Sequence, residues 1–91
     1  MSPSAHHEQA GHSFGHLVAA RRRQLGLSQQ DLAGRLCEVS GRATLTRHEM
    51  SRYERGVRVP RGWLLEAMAL CLDLPLASLR RTIAERPSEH A

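Results

Sequence analysis

The chain has 91 residues, with 13 basic residues against 9 acidic ones and a formal net charge of +4. That length allows one small domain around one core, and the basic balance favours a polyanionic partner. No apolar run approaches the ~18–20 residues of a membrane-spanning helix, and the amino terminus lacks the apolar centre of a secretion signal, so a cytoplasmic protein is expected.

All the basic side chains are arginine, whose planar guanidinium makes two-pronged contacts to phosphate or guanine. Cys37 and Cys71 lie far apart in segments of helical pattern. They are expected as partly buried thiols in a reducing compartment.

In chain order, residues 1–12 are rich in Ser, Pro, His, Gln and Gly without apolar periodicity, and read as a disordered tail. His12 and His16 stand four apart, the spacing of ligands on one helix face, but no cysteine or placed carboxylate completes a metal site. Solvated histidines, no metal and no cofactor are the expectation. Ser13 then caps a first helix over 13–25, with Phe14, Leu17, Val18 and Leu25 toward the core and a cluster of Arg21, Arg22 and Arg23 near its end. Gly26 stops it.

Ser28 starts a second helix, with Asp31 three residues on as its capping partner. Leu32, Ala33, Leu36 and Val39 form its buried stripe, and Gly41 ends it. Thr46 and Glu49 form the Thr-x-x-Glu box of a third helix over 46–55. Met50 and Tyr53 fall on its buried side, which leaves Arg47, His48, Ser51, Arg52 and Arg55 exposed. Gly56 terminates it, 57–59 is a short extended link, and Pro60 opens a fourth helix. Leu65, Met68, Ala69 and Leu72 recur at helical spacing. Pro75 begins a fifth helix whose apolar face is Leu76, Leu79 and Ile83, and residues 86–91 read as a frayed tail. No segment has the alternation of a strand. The fold class is therefore all-α: a compact five-helix bundle over 13–85.

Two short helices in series, the second rich in arginine, suit a device that lays a helix into a DNA groove. A helix N-terminus pointed at DNA brings its positive dipole end and first side chains to the groove. Arg47 and Arg52 are five residues apart, about 100–140° around the axis, so both reach a groove along which the helix lies. An arginine on guanine O6 and N7 discriminates by ~1–3 kcal/mol. Arg55, Arg58 and Arg42 are placed to grip the sugar-phosphate backbone, which adds affinity without sequence choice. Glu49 can accept from cytosine, but capping is the simpler role. The alternative for this whole set is a solvated basic face.

The runs Arg22-x-x-x-Gly26-Leu27-Ser28-Gln29, Leu32-Ala33 and Met50-Ser51-x-x-Glu54-x-Gly56, followed by Pro60 and the Leu65/Met68/Ala69/Leu72/Leu74/Leu79 pattern, resemble the phage-repressor-like helix-turn-helix family, of lambda-repressor and Cro type. The resemblance covers roughly 14–79. It implies a lambda-repressor-like fold and sequence-specific double-stranded DNA binding by a bacterial transcriptional regulator. It assigns Gln29 to a DNA phosphate, Arg47, His48 and Arg52 to base edges, and Arg22 and Glu54 to a structural salt bridge between the first and third helices. Ser51 joins Gln29, Arg42, Arg55 and Arg58 as a backbone contact. Two departures stand out. The connection between the second and third helices is elongated, with 41–45 inserted, and Arg21 replaces an apolar residue and is expected to snorkel along the first helix.

No nucleophile has a paired base at a recognisable spacing and no glycine-rich phosphate loop occurs, so an enzyme is not expected. The rival reading is a protein-interaction module or antitoxin-like partner-binding protein on the same fold, with Trp63 as an anchor or as a side chain packed at the core edge. Operators are usually read by dimers whose half-sites lie ~34 Å apart. A homodimer is expected, with Leu76, Leu79 and Ile83 as its candidate surface.

Overall fold

The computed structural model describes residues 5–41 and 45–84. Five helices follow in order: α1 (Ala5–Gln24), α2 (Gln29–Ser40), α3 (Arg47–Glu54), α4 (Trp63–Leu72) and α5 (Leu76–Ala84). The described residues hold no strand. Phe14, Val18, Leu32, Leu36, Met50, Met68, Leu72 and Leu79 are fully buried and form the centre of one core. Each contributes roughly 1.5–3 kcal/mol by leaving water. α1 packs against α3 and α5, and α2 packs against α3 and α4. The pair α1 and α2 therefore forms the scaffold on which α3 sits.

The helix boundaries follow from local chemistry. Ser28 and Asp31 close a reciprocal box at the start of α2: the Ser28 hydroxyl accepts from the Asp31 N–H at 2.9 Å, and the Asp31 carboxylate accepts from the Ser28 N–H at 2.9 Å. The Ser28 backbone N–H, and after it the Ser28 hydroxyl, hold the Asp31 carboxyl below its ordinary pKa. Gly41 ends α2 in the left-handed conformation with φ 74°. α3 stops in a Schellman turn at Gly56, where Gly56 N–H reaches the Tyr53 carbonyl and Val57 N–H reaches the Arg52 carbonyl. Burial pushes the Cys71 thiol up from its ordinary pKa; Cys37 and Cys71 are both free and half-buried.

Several expectations are corrected. α1 begins at Ala5, so Ser13 lies inside the helix and does not cap it. The polar segment ahead of Ser13 lacks an apolar stripe, yet its Ala, Glu and Gln residues favour helix intrinsically. Phe14, Val18 and Ala19 are the buried apolar residues described in α1. Residues 1–4 and the expected tail at 86–91 lie outside the described residues. Leu25 is 40% exposed and Val39 49% exposed, because each follows the last inward turn of its helix. α4 begins at Trp63, not Pro60: Gly62 takes φ 56° and ψ −129°, a non-helical conformation that delays the start, and Pro60 is buried in the link.

Arg21 keeps one contact along α1, its Nη1 donating to Gln24 Oε1 at 3.2 Å, but the rest of its guanidinium turns to α4. Its Nε donates to the Leu72 carbonyl at 2.9 Å, capping the end of α4, and its Nη2 lies 3.8 Å from Asp73. A cation there suits the negative end of the helix. The stripe of α5 is also used internally. Leu79 is fully buried, and Leu76 and Ile83 pack against the same core. Since α5 rests on α1 and α4, those three side chains cannot form a free dimer surface.

Candidate nucleic-acid interface

α3 is the element on which the candidate site is built. Thr46 caps it: its hydroxyl accepts from the Glu49 N–H at 3.2 Å, and the Glu49 carboxylate accepts from the Thr46 N–H at 3.3 Å. Glu49 thus holds the helix end. Met50 and Tyr53 are buried against the scaffold and set which way α3 faces. At about 100° per residue, His48 and Arg55 then point directly away from that stripe, Ser51 and Arg52 flank them, and Arg47 stands at the margin. Arg47, His48 and Arg55 are exposed, while Ser51 and Arg52 are half-buried. Among the described residues, the side chains of Arg47, His48, Arg52 and Arg58 take no hydrogen bond or ion pair. Arg55 makes only a long bond, 3.4 Å, to the Ser51 carbonyl.

The orientation of α3 is braced by a buried carboxylate. Glu54 Oε2 accepts from Arg22 Nε at 2.6 Å, and Glu54 Oε1 accepts from Arg22 Nη2 at 3.1 Å and from Gln29 Nε2 at 3.0 Å. The side chains of Arg22 and Glu54 are only 11% and 6% exposed. Arg22 Nη1 also donates to the Leu27 carbonyl at 2.7 Å, inside the turn between α1 and α2. One carboxylate therefore ties α1, α2 and α3 together. Bidentate geometry and the further bonds to the Leu27 carbonyl and from Gln29 are what make this buried ion pair tolerable.

Gln29, expected at a DNA phosphate, stands at the first position of α2 with one amide N–H donated to Glu54. Its amide oxygen and second N–H remain. Arg42 lies outside the described residues. Arg58 is exposed in the link after α3, beyond Gly56. The elongated connection is taken up as a full-length α2 reaching Ser40, the Gly41 cap and a return through Leu45, whose carbonyl accepts a weak bond from Cys37 Sγ at 3.5 Å. Leu45 packs on the core, so the start of α3 is anchored from this side too.

One positioning residue was not anticipated. Gly15 is buried where α1 passes the end of α3, and a Cβ there would lie 2.2 Å from the Glu54 carbonyl oxygen and 2.8 Å from its carbon. Only glycine permits that approach of helix to backbone. The available signal is Gly15 and Ala19 four apart, two small residues on one face of α1.

The scan against protein families matches residues 13–82 to the helix-turn-helix domain. The chain belongs to the helix-turn-helix domain family. Its match runs from within α1 to within α5 and takes in all of α2, α3 and α4. Family membership supports DNA as partner, and the family is typically non-enzymatic. No curated protein matches the chain. No described helix is long and apolar enough to cross a membrane. No group of three or more metal-ligating side chains occurs among the described residues.

Proposed function

We propose that this helix-turn-helix domain binds double-stranded DNA sequence-specifically, as a small transcriptional regulator of the lambda-repressor type, with α3 in the major groove. The observation that carries this is the outward face of α3: Arg47 and Arg52, whose side chains take no partner among the described residues, on a helix whose inward side is locked by Met50, Tyr53 and the Glu54 brace. Arg47, His48 and Arg52 read base edges. Gln29, Ser51, Arg55 and Arg58, with Arg42 from the connection, contact the backbone and fix docking. Gln29 is well suited to this, because an amide held by Glu54 presents its remaining N–H at the positive end of α2. The regulator works as a homodimer on a two-fold site. Its dimer contact uses a surface other than Leu76, Leu79 and Ile83.

Selection from a random duplex library tests this directly. Recovery of a recurring, roughly palindromic motif supports the reading. Retention without any motif leaves only salt-sensitive backbone binding, and no retention overturns it.

A further inference from the structure

The seam between α2 and α4 lies on the other side of α2 from α3. Two adjoining depressions run along it, a third continues on the α4–α5 side, and Leu70 lines all three. Leu70 is 71% exposed; Val39 and Trp63 stand beside it at 49% and 44%. Helical side chains of this kind normally turn inward, and here they surround a shared groove.

The rim carries the opposite charge to the rest of the molecule. Asp31, Glu38 and Glu66 border the groove, with Asp73 beyond it on the α4–α5 side, against Arg35 among the described cations lining it. Asp73 is approached by Arg21 at 3.8 Å from outside. The chain as a whole is +4, so the acidic border is a local inversion.

Gly34 adds an independent observation. It sits in the middle of α2 on the exposed groove wall, and a Cβ there would meet nothing within 4 Å. Glycine weakens a helix interior relative to alanine, and nothing within the protein needs the space. A bare patch of helix backbone beside Leu70 lets another helix approach closely.

We infer that the α2–α4 groove docks a basic amphipathic helix of a partner protein, its apolar stripe on Val39, Leu70 and Trp63 and its cationic flanks against Glu38, Asp31 and Glu66. A second copy fits poorly. Two such grooves face to face set carboxylates against carboxylates. The exposed cations of α5, Arg80 and Arg81, flank an apolar stripe already buried in its own core. The recognition mode is helix-in-groove, with apolar residues at i, i+3, i+4 and i+7 as anchors. The groove leaves the outward face of α3 uncovered, so this surface does not depend on the DNA reading.

The chain has a single tryptophan, and it sits at this groove, which supplies the readout. The probe is a synthetic tryptophan-free helical peptide of about 15–20 residues, with leucine at the anchor spacing and arginine flanks. A twin carries glutamate flanks. The expected result is a blue shift of Trp63 emission with the arginine peptide, with affinity ~10-fold or more above that of the twin. Amide shifts should be confined to α2 and α4. Leu70→Ser and Gly34→Ala should each weaken binding by ~10-fold while leaving the circular dichroism of the domain intact. Leu70 is mostly solvent-facing and Gly34 has open space, so both variants should fold. Equal binding of the twin peptides, indifference to both substitutions, or no binding overturns the inference. Concentration-dependent self-association abolished by Leu70→Ser also overturns it, by giving the groove to a second copy.

Discussion

The arginines of α1 and those of α3 are chemically identical and do opposite work. Arg21 and Arg22 are turned inward, one on the Leu72 carbonyl and the other on Glu54 and Leu27. The side chains of Arg47 and Arg52 take no internal partner among the described residues. What separates them is the company each keeps. Glu54 and the open end of α4 lie within reach of α1. α3 has its own carboxylates occupied, Glu49 by its N-terminal cap and Glu54 by Arg22 and Gln29. Charge count alone therefore says little about a basic protein's ligand. The arginines that matter are those whose neighbouring carboxylates are already engaged.

The largest effect that would break this contrast is expected at the brace. Glu54→Ala leaves Arg22 buried without its partner and should cost about 3–5 kcal/mol of stability by urea denaturation. A loss under about 1 kcal/mol would mean that the ion pair does not brace α3. Gly15→Ala should come next, at about 1–3 kcal/mol, because the intruding Cβ meets backbone that cannot rotate away. Gly34→Ala in α2 is its control. There the Cβ meets open space, so the same substitution should stabilise by about 0.5–1 kcal/mol.

On the outward side the sign of the comparison reverses. Arg47→Ala should leave unfolding unchanged within ~0.5 kcal/mol yet remove ~1–3 kcal/mol of base discrimination at one operator position. Uniform weakening across all sequences would instead assign Arg47 to the backbone.

The smallest effect concerns a cap. Ser28→Ala should cost about 1 kcal/mol in thermal unfolding. It should also blunt acid sensitivity. The Asp31 carboxyl is held below its ordinary pKa, first by the Ser28 backbone N–H and then by the Ser28 hydroxyl. Its stabilisation is present above the unfolded value and lost as pH falls through the depressed one. Without the hydroxyl, part of that loss disappears, and a pH titration of the melting temperature below about pH 4 reads it.

The helices were legible wherever a cap was written in side chains. Ser28 with Asp31 and Thr46 with Glu49 marked α2 and α3, and Gly26, Gly41 and Gly56 marked three ends. The buried stripes of α3 and α4 followed from spacing. What periodicity could not show was direction and partner. Leu76, Leu79 and Ile83 announced an apolar face but not that α1 and α4 would cover it. Leu25 and Val39 continued a pattern past the point where the helix still touched the core. The Ala5 start was hidden because polar helix formers carry no periodicity. Gly15 was hidden because its role depends on a carbonyl 39 residues away (Gly15 to Glu54). In the candidate site, the arginine face of α3 was visible from composition and spacing, whereas Gln29's bond to Glu54 depended on how the elongated connection returned the chain.

Arg21 and Arg22 are neighbours in sequence, yet their bonds reach 51 residues forward to α4 and 32 forward to α3. The loops they close must form before either bond repays their entropy. Opening α3 or α4 alone must therefore break one of these ties to α1. Amide protons at the buried positions of both helices should therefore exchange with solvent at one common rate, through whole-domain opening, with the outer turns of α1 ahead of Phe14 exchanging first.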